Sequence, residues 1–247
     1  MAKFAVILPA AGMSSRFGGA ARKKVFADLA GRAVWLRSTE LFVNRDDVVQ
    51  TLLVVAADDE EWFREKFRPN LAFLDVEVVV GGAERADSVA NALARVKPEA
   101  VFIAVHDAAR PLIAKEWITT VFKAGEQHGA AILATPVTST VKRVADGTRI
   151  VETVPRVDLW TAQTPQVSRR DWLEDAFAKR GSFQPTDEAQ LLERAGYAVH
   201  VVPGSPLNFK ITVAEDLKMA EACLDLLPKE QRTGLLHPFA DEDPRWP

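Results

Sequence analysis

The chain is poor in the residues and patterns that build disulfide frameworks, zinc sites and membrane spans. Its 247 residues include a single cysteine, Cys223, so neither an internal disulfide nor a cysteine-built zinc site can form. No apolar run approaches the roughly 18 residues that a transmembrane helix needs, and no charged-then-apolar leader precedes the first predicted strand. We therefore expect a cytoplasmic protein that has no membrane partner.

A large excess of one charge is also absent. The 31 Lys and Arg residues nearly balance the 34 Asp and Glu residues, which leaves a formal net charge of −3. Such a balance gives no general attraction to nucleic acid, and we expect no nucleic-acid partner. Basic residues that bind phosphate groups must therefore be gathered in one pocket.

Five short apolar runs recur in the first part of the chain, separated by stretches of helical character. They span residues 4–8, 52–56, 76–80, 101–105 and 130–134. This alternation predicts an α/β fold with a Rossmann-like, mostly parallel sheet and helices on both faces. No repeat or linker divides the chain, so we expect one domain over residues 1–227 and a loosely ordered, proline-containing tail over residues 228–247.

Two polar, β-rich stretches follow Pro136. Residues 138–144 and 149–154 flank a turn at Asp146-Gly147, a spacing that is typical of a hairpin. Because an exposed two-stranded hairpin is marginal by itself, we expect residues 137–157 to form a protruding dimerisation arm that packs on a second subunit. The alternative is a hairpin folded back on its own domain.

Helices and further short strands are predicted around and after this arm. The predicted helices span residues 86–96, 169–179, 187–195 and 214–227, and the predicted strands span residues 198–202 and 209–212. Thr186 is expected to cap the helix over 187–195, whose first turn carries Asp187 and Glu188 in a favourable position against the helix dipole.

The first candidate site follows the first apolar run. Ala10, Ala11 and Gly12 allow a nucleotide to lie against bare backbone, and successive N–H groups of such a loop can face an anion. Basic residues follow closely, namely Arg16, Arg22, Lys23 and Lys24. The loop has neither the G-x-G-x-x-G spacing of a dinucleotide site nor the Gly-Lys-Ser/Thr of a Walker loop. A strand-to-helix turn without a ligand is the alternative interpretation.

Ligands of open α/β sheets bind at the carboxyl ends of strands, where two further clusters lie. Residues 81–88 place Gly82 and Ser88 after a strand, which suits close approach of a ligand or a simple capped turn. Asp107 ends another strand, where it could bind Mg²⁺ together with substrate phosphates or pair with Arg110. His106 is expected to orient or pack rather than to act as a base.

Lys210 lies in the last cluster, Asn208-Phe209-Lys210-Ile211-Thr212. A solvated edge lysine is one interpretation. The other is that Lys210 adds the positive charge needed for in-line attack on an α-phosphate, because such chemistry depends mainly on positioning and charge neutralisation.

Six motifs taken in order carry a resemblance to a known family. They are Pro9-Ala10-Ala11-Gly12 with Arg16 and Lys24, Gly81-Gly82 with Arg85-Ala86-Asp87-Ser88, His106-Asp107-Ala108-Ala109-Arg110-Pro111, Thr164-Pro165-Gln166, Thr186-Asp187-Glu188-Ala189 and the Lys210 cluster. Over residues 4–227 the chain resembles 2-C-methyl-D-erythritol 4-phosphate cytidylyltransferases and their relatives, the ribitol-5-phosphate cytidylyltransferases. The resemblance implies that a polyol phosphate oxygen attacks the α-phosphorus of CTP, which releases pyrophosphate and forms a CDP-linked polyol for non-mevalonate isoprenoid synthesis.

The resemblance also implies roles for individual residues. The expected nucleotide-binding residues are Pro9, Ala10, Ala11, Gly12, Gly82, Ser88, Asp107 and Ala108. The expected catalytic residues are Arg16, Lys24 and Lys210, and the expected polyol phosphate residues are Thr140, Arg156, Thr164 and Arg110. Asp107 is expected to ligate Mg²⁺, and the arm is expected to reach into the partner subunit of a homodimer.

The chain departs from the family pattern at three places. Ser14 stands where the family usually has glycine, and Leu207 occupies a position that is often acidic. Lys23 has the usual spacing from Arg16, whereas Lys24 matches by its neighbours, so the phosphate clamp is one of these two lysines. Two competing functions are a ribitol-phosphate enzyme and a nucleotide-binding module without catalysis. The retained charges at Arg16, Lys24, Asp107 and Lys210 argue against such a module.

Overall fold

The computed structural model describes residues 2–12 and 23–228. Eleven strands are assigned within these ranges: β1 (Phe4–Pro9), β2 (Asp28–Leu29), β3 (Arg32–Ala33), β4 (Val48–Val55), β5 (Val76–Val80), β6 (Phe102–Val105), β7 (Ala130–Pro136), β8 (Val141–Ala145), β9 (Arg149–Val154), β10 (Trp160–Arg169) and β11 (His200–Pro203). The α-helices are α1 (Val34–Val43), α2 (Ala57–Lys66), α3 (Arg68–Leu74), α4 (Arg85–Leu93), α5 (Lys115–His128), α6 (Arg170–Ala178), α7 (Glu188–Ala195) and α8 (Ala214–Cys223). Short 3₁₀ turns span Lys24–Phe26 and Leu224–Leu226.

Seven strands form the central sheet in the order β11-β7-β10-β6-β1-β4-β5. Only β10 runs antiparallel to its neighbours, and the other pairs are parallel. The sequence-based prediction of a mostly parallel sheet is therefore confirmed. All five apolar runs contribute a strand, whereas β10 was not predicted because its polar side chains do not form an apolar run.

The strand β1 lies between β6 and β4 in the sheet, and its side chains are divided between two apolar cores. Phe4, Val6 and Leu8 pack in one core, and Ala5 and Ile7 pack in the other. Successive strand residues point to opposite faces, so a strand that is buried on both faces reads as an unbroken apolar run. Helices therefore cover both faces of the sheet, as predicted.

The strands β8 and β9 form a separate two-stranded sheet, with Val141 opposite Val154. Most of their side chains are exposed, including those of Ile150 and Val151. The predicted hairpin arm is thus present, and its packing on a second subunit stays a prediction.

Three local predictions were wrong in detail. Asp187, not Thr186, is the N-cap of α7, because Asp187 is extended and its Oδ1 accepts a hydrogen bond from the backbone N–H of Gln190 at 2.9 Å. Residues 209–212 form no strand, and the N–H of Ile211 donates instead to the carbonyl of Ala109 at 2.8 Å. The last helix ends at Cys223, where a 3₁₀ turn replaces it.

Apart from Pro228, the predicted tail lies outside the described residues. Among the helices that the structure does describe, none is both long and apolar enough to cross a membrane.

Candidate active site

A cavity of about 330 Å³ opens at the carboxyl ends of β1, β5 and β6. This volume lies within the range of small-ligand sites. Its lining includes most of the predicted nucleotide and catalytic residues, namely Pro9, Ala10, Ala11, Gly12, Lys24, Gly82, Ser88, Asp107 and Lys210. The remaining lining residues are Val25, Ala83, Glu84, Arg85 and Ala109. Four sequence motifs that are far apart in the chain therefore meet at one edge of the sheet.

Two glycines allow the loop after β5 to pack closely against its surroundings. A Cβ atom at Gly81 would lie 2.9 Å from the Cβ of Ala11, and one at Gly82 would collide with the Cβ of Asp87. Neither approach is compatible with a side chain, so both positions require glycine. The N–H of Gly82 also donates to the Oγ of Ser88 at 3.1 Å, which ties the loop to α4.

Asp107 is buried among three cations. Its Oδ2 lies 3.0 Å from Lys210 Nζ and 3.4 Å from Arg110 Nε, and its Oδ1 lies 3.5 Å from Arg85 Nη2. Burial alone would raise the pKa of Asp107, but Lys210, Arg85 and Arg110 outweigh burial and hold this pKa well below its usual value. Asp107 is therefore an ionised carboxylate at any physiological pH.

Thr164 and His106 form a buried hydrogen-bond chain that holds the backbone of Asp107. The hydroxyl of Thr164 accepts a hydrogen bond from Asp107 N–H at 3.0 Å and lies 3.0 Å from His106 Nδ1. His106 Nε2 lies 3.1 Å from the carbonyl oxygen of Arg110, which can only accept. The consistent assignment is a neutral imidazole with its proton on Nε2 and with Nδ1 accepting from Thr164. Burial lowers the pKa of His106 to about 4 and keeps the ring neutral.

Arg85 was missed as a site residue by the sequence analysis. Its guanidinium forms a bidentate pair with Glu188 of α7, with N–O distances of 2.7 and 3.0 Å, and it also faces Asp107. Burial alone would lower the pKa of Arg85, but Glu188 and Asp107 raise it above its usual value. Arg85 and Glu188 each belong to one of the motifs that carry the family resemblance. Because 103 positions separate them, the sequence carries no local signal that they pair.

The two candidate lysines point to different places. Lys24 lines the cavity, whereas Lys23 Nζ lies 2.5 Å from Asp59 Oδ2 and donates to the carbonyl of Ala11 at 3.1 Å. Buried Val25 and Phe26 anchor the 3₁₀ turn that begins at Lys24. This geometry favours Lys24 as the phosphate clamp.

Several predicted residues lie outside the cavity lining. Arg110 donates to the carbonyl of Asn208 at 2.7 Å, Ala108 is fully buried, and Thr164 is committed to the contacts beneath Asp107. Thr140 and Arg156 are exposed on or beside the arm, where Arg156 donates to the backbone carbonyl of Thr138. The predicted roles of these five residues stay predictions. Arg16 and Ser14 lie outside the described residues.

Known proteins resemble this chain in sequence and in fold. A family model for IspD, 2-C-methyl-D-erythritol 4-phosphate cytidylyltransferase, matches residues 4–226. The curated protein of that name from Rhodopirellula baltica is 41% identical over 236 residues, which cover 91% of this chain and 96% of the relative. The crystal structure of the Thermus thermophilus protein of that name is 29% identical, with a TM-score of 0.75 and coverage of 90% of this chain and 99% of that chain.

The chain belongs to the 2-C-methyl-D-erythritol 4-phosphate cytidylyltransferase family. It is therefore a nucleotidyltransferase of non-mevalonate isoprenoid synthesis. A second curated cytidylyltransferase of this family, from Solibacter usitatus, is also 41% identical and covers 90% of the chain. These relatives give no support to the ribitol-phosphate alternative or to a module without catalysis.

Two carboxylate residues, Asp107 and Glu84, are among the residues that line the cavity of this cytidylyltransferase. Within residues 2–12 and 23–228, no group of three or more His, Cys, Asp or Glu residues could hold a metal ion. Leu207 supplies no carboxylate, and its N–H donates to the Oγ of Ser205 at 3.2 Å. Any divalent cation at this site must therefore take most of its ligands from substrate and water.

Proposed function

We propose that the cavity binds CTP with its triphosphate directed toward Lys24, Lys210 and Asp107. A phosphate oxygen of 2-C-methyl-D-erythritol 4-phosphate then attacks the α-phosphorus, the bond to the β-phosphate oxygen breaks, and pyrophosphate leaves. The observation that supports this proposal is the meeting of two lysines and one ionised carboxylate beside the bare backbone of Ala10, Ala11 and Gly12.

The two lysines supply positive charge where phosphoryl transfer accumulates negative charge. Lys210 is held by Asp107 at 3.0 Å, and its loop is anchored by buried Asn208, which donates to the carbonyl of Thr164 at 2.8 Å. Preorganised charges of this kind stabilise a transition state without reorganisation during the reaction. We assign Lys210 to the α-phosphate and Lys24 to the phosphates that leave.

Mg²⁺ fits this site as a cofactor that arrives with the nucleotide. Asp107 is ionised, and its Oδ1 accepts no hydrogen bond from the residues that the structure describes. Mg²⁺ is typically held by one or two carboxylates together with substrate phosphates and water. Asp107 would hold the ion, which supplies further neutralisation of the phosphate charge when it is bound.

Two of the residues expected to contact the polyol phosphate, Thr140 and Arg156, lie in the arm. Arg156 carries a guanidinium suited to phosphate, and it lies in the arm, two residues after the end of β9. The exposed apolar side chains of Val144, Ile150 and Val151 on the arm support its packing against another protein surface. We therefore propose a homodimer in which Arg156 and Thr140 contact the polyol phosphate, with Thr164 and Arg110 supporting the same subsite.

A cytoplasmic location is proposed on chemical grounds. The one cysteine, Cys223, is free, as is usual in a reducing compartment. Fractionation of native cells with antibody detection tests this location, and recovery of the protein outside the cytoplasm would contradict it.

Pyrophosphate release tests the proposed reaction directly. Release should require Mg²⁺, should be faster with CTP than with ATP, GTP or UTP, and should be faster with methylerythritol phosphate than with ribitol phosphate. Lys210→Ala should lower kcat by roughly 10²–10³ because one preorganised charge contact is lost. Lys218→Ala removes an exposed lysine of α8 and serves as the control. Equal rates with both polyols, or an unaffected Lys210→Ala enzyme, would refute the assignment.

A further inference from the structure

Arg85 lies between two buried carboxylates and contacts them unequally. It holds Glu188 through two hydrogen bonds of 2.7 and 3.0 Å, whereas its Nη2 stays 3.5 Å from Asp107 Oδ1. A bidentate arginine–carboxylate pair is stronger and more directional than a single long ion pair. Glu188 therefore determines where Arg85 lies and how far it stands from Asp107.

The two oxygens of Asp107 have different surroundings. Oδ2 faces both Lys210 and Arg110, whereas Oδ1 faces Arg85 and accepts no hydrogen bond within the described part of the chain. Oδ1 is thus the oxygen whose lone pairs are available to another cation. A short move of Arg85 toward Oδ1 would occupy those lone pairs.

Glu188 is well placed to restrain Arg85 because the start of α7 is itself fixed. The side chain of Asp187 caps α7, and its Oδ2 accepts a hydrogen bond from Gln166 Nε2 at 2.9 Å. Gln166 Oε1 accepts in turn from the N–H of Ala189 at 2.9 Å. These contacts attach the first turn of α7 to β10 on both sides of Glu188.

We propose that Glu188 is a positioning residue that holds Arg85 back and so keeps Asp107 Oδ1 open for the divalent cation that accompanies CTP. Without the charge of Glu188, the buried guanidinium of Arg85 pairs with the nearest remaining carboxylate, which is Asp107. Arg85 then competes directly with the metal. The inference rests on the proposed function, because it assumes that metal and CTP meet at Asp107.

Binding of Mn²⁺ tests the inference without turnover. Electron paramagnetic resonance reports free Mn²⁺ in the presence of a CTP analogue with a methylene group between the α- and β-phosphates. Glu188→Gln should weaken Mn²⁺ binding in this complex about tenfold or more, since a charge-assisted contact replaces an open ligand position. Affinity for the analogue without metal should change less than about threefold. Glu193→Gln makes the same change at an exposed position of α7 and should leave both affinities unaltered.

Two further variants separate positioning from general damage. In Arg85→Gln/Glu188→Gln the competing cation is gone, and Mn²⁺ affinity should return to within about threefold of the wild-type value. Glu188→Asp keeps the negative charge on a side chain that is one methylene shorter, which draws Arg85 further from Asp107. The Glu188→Asp variant should therefore bind Mn²⁺ at least as tightly as the wild type. A merely structural role predicts instead that the double variant is the weakest of all.

The outcomes distinguish this inference from the function on which it rests. Absence of analogue-dependent Mn²⁺ binding to the wild-type protein would overturn the proposed function and this inference with it. Wild-type binding that Glu188→Gln leaves unchanged, or a double variant as weak as Glu188→Gln, would overturn this inference alone. A tenfold loss of Mn²⁺ affinity in Glu188→Asp would also overturn this inference alone.

Discussion

Acidification from pH 7 to pH 5 should destabilise the protein mainly through His106. Burial lowers the pKa of this histidine from 6.5 to about 4, so the unfolded chain takes up a proton in this range while the folded protein does not. The contribution to stability is therefore complete above pH 6.5 and is lost as the pH falls toward 4. A shift of this size corresponds to about 3 kcal/mol in total, of which about 2 kcal/mol is lost between pH 7 and pH 5.

Carboxylates contribute little to this window, because their unfolded pKa values lie below it. The lowered pKa of Asp107 acts at still lower pH, where the unfolded carboxylate begins to take up protons. The proton on Nε2 and the hydrogen bond that Nδ1 accepts from Thr164 both match a neutral ring. Protonation of Nδ1 would place a donor against the Thr164 hydroxyl, which must then turn its own proton elsewhere.

Urea unfolding followed by tryptophan fluorescence at pH 7, 6 and 5 measures this loss. His106→Asn cannot titrate, so its free energy of unfolding should fall less than that of the wild type by about 2 kcal/mol over the same range. His128→Asn is the matched control at an exposed ring and should retain the wild-type loss. Equal losses in the wild type and in His106→Asn would refute the reasoning, as would a nuclear magnetic resonance titration of His106 with a midpoint near 6.5.

Two further predictions concern the phosphate contacts. Lys24→Ala should lower kcat by roughly 10²–10³ in the pyrophosphate assay, because Lys24 lines the cavity. Lys23→Ala should have a much smaller effect because Lys23 pairs with Asp59. The reverse ranking would make Lys23 the phosphate clamp. Arg156→Ala should raise KM for the polyol phosphate and leave CTP binding nearly intact, because its guanidinium is proposed to contact only the polyol phosphate. If the arm reaches into the partner subunit, heterodimers of one Arg156→Ala subunit and one Lys210→Ala subunit should recover part of the activity. An inactive, verified heterodimer would indicate a site built within one chain.

Much of the central sheet could be predicted because a strand that is buried on both faces appears in the sequence as an unbroken apolar run. The runs that became β1, β4, β5, β6 and β7 were recognised for this reason. By contrast, β10 carries Gln163, Thr164, Gln166 and Ser168, whose polar atoms are buried in the fold. A strand of this kind has no hydrophobic period, and only its neighbours β6 and β7 make it a strand.

The site residues that directly follow a predicted strand could be predicted from the sequence. Asp107 and Gly82 were found in this way, and the cavity includes both of them. The restraint of Arg85 by Glu188 could not be found, since it depends on the first residues of α4 and α7 meeting in the fold. Residues 209–212 were predicted as a strand, whereas the backbone of Ile211 donates a hydrogen bond to Ala109 outside any strand pair.

The direction of β10 decides where the hairpin arm leaves the molecule. Trp160 pairs with Pro136 at the end of β7, so the chain between these two strands turns back at the carboxyl edge of the sheet. The cavity opens at this same edge, and a parallel β10 would have needed a crossover ending at the opposite edge. One reversed strand thus places the connection that carries the arm at the same edge of the sheet as the cavity. The arm can consequently change in length or sequence without altering any strand pair of the sheet.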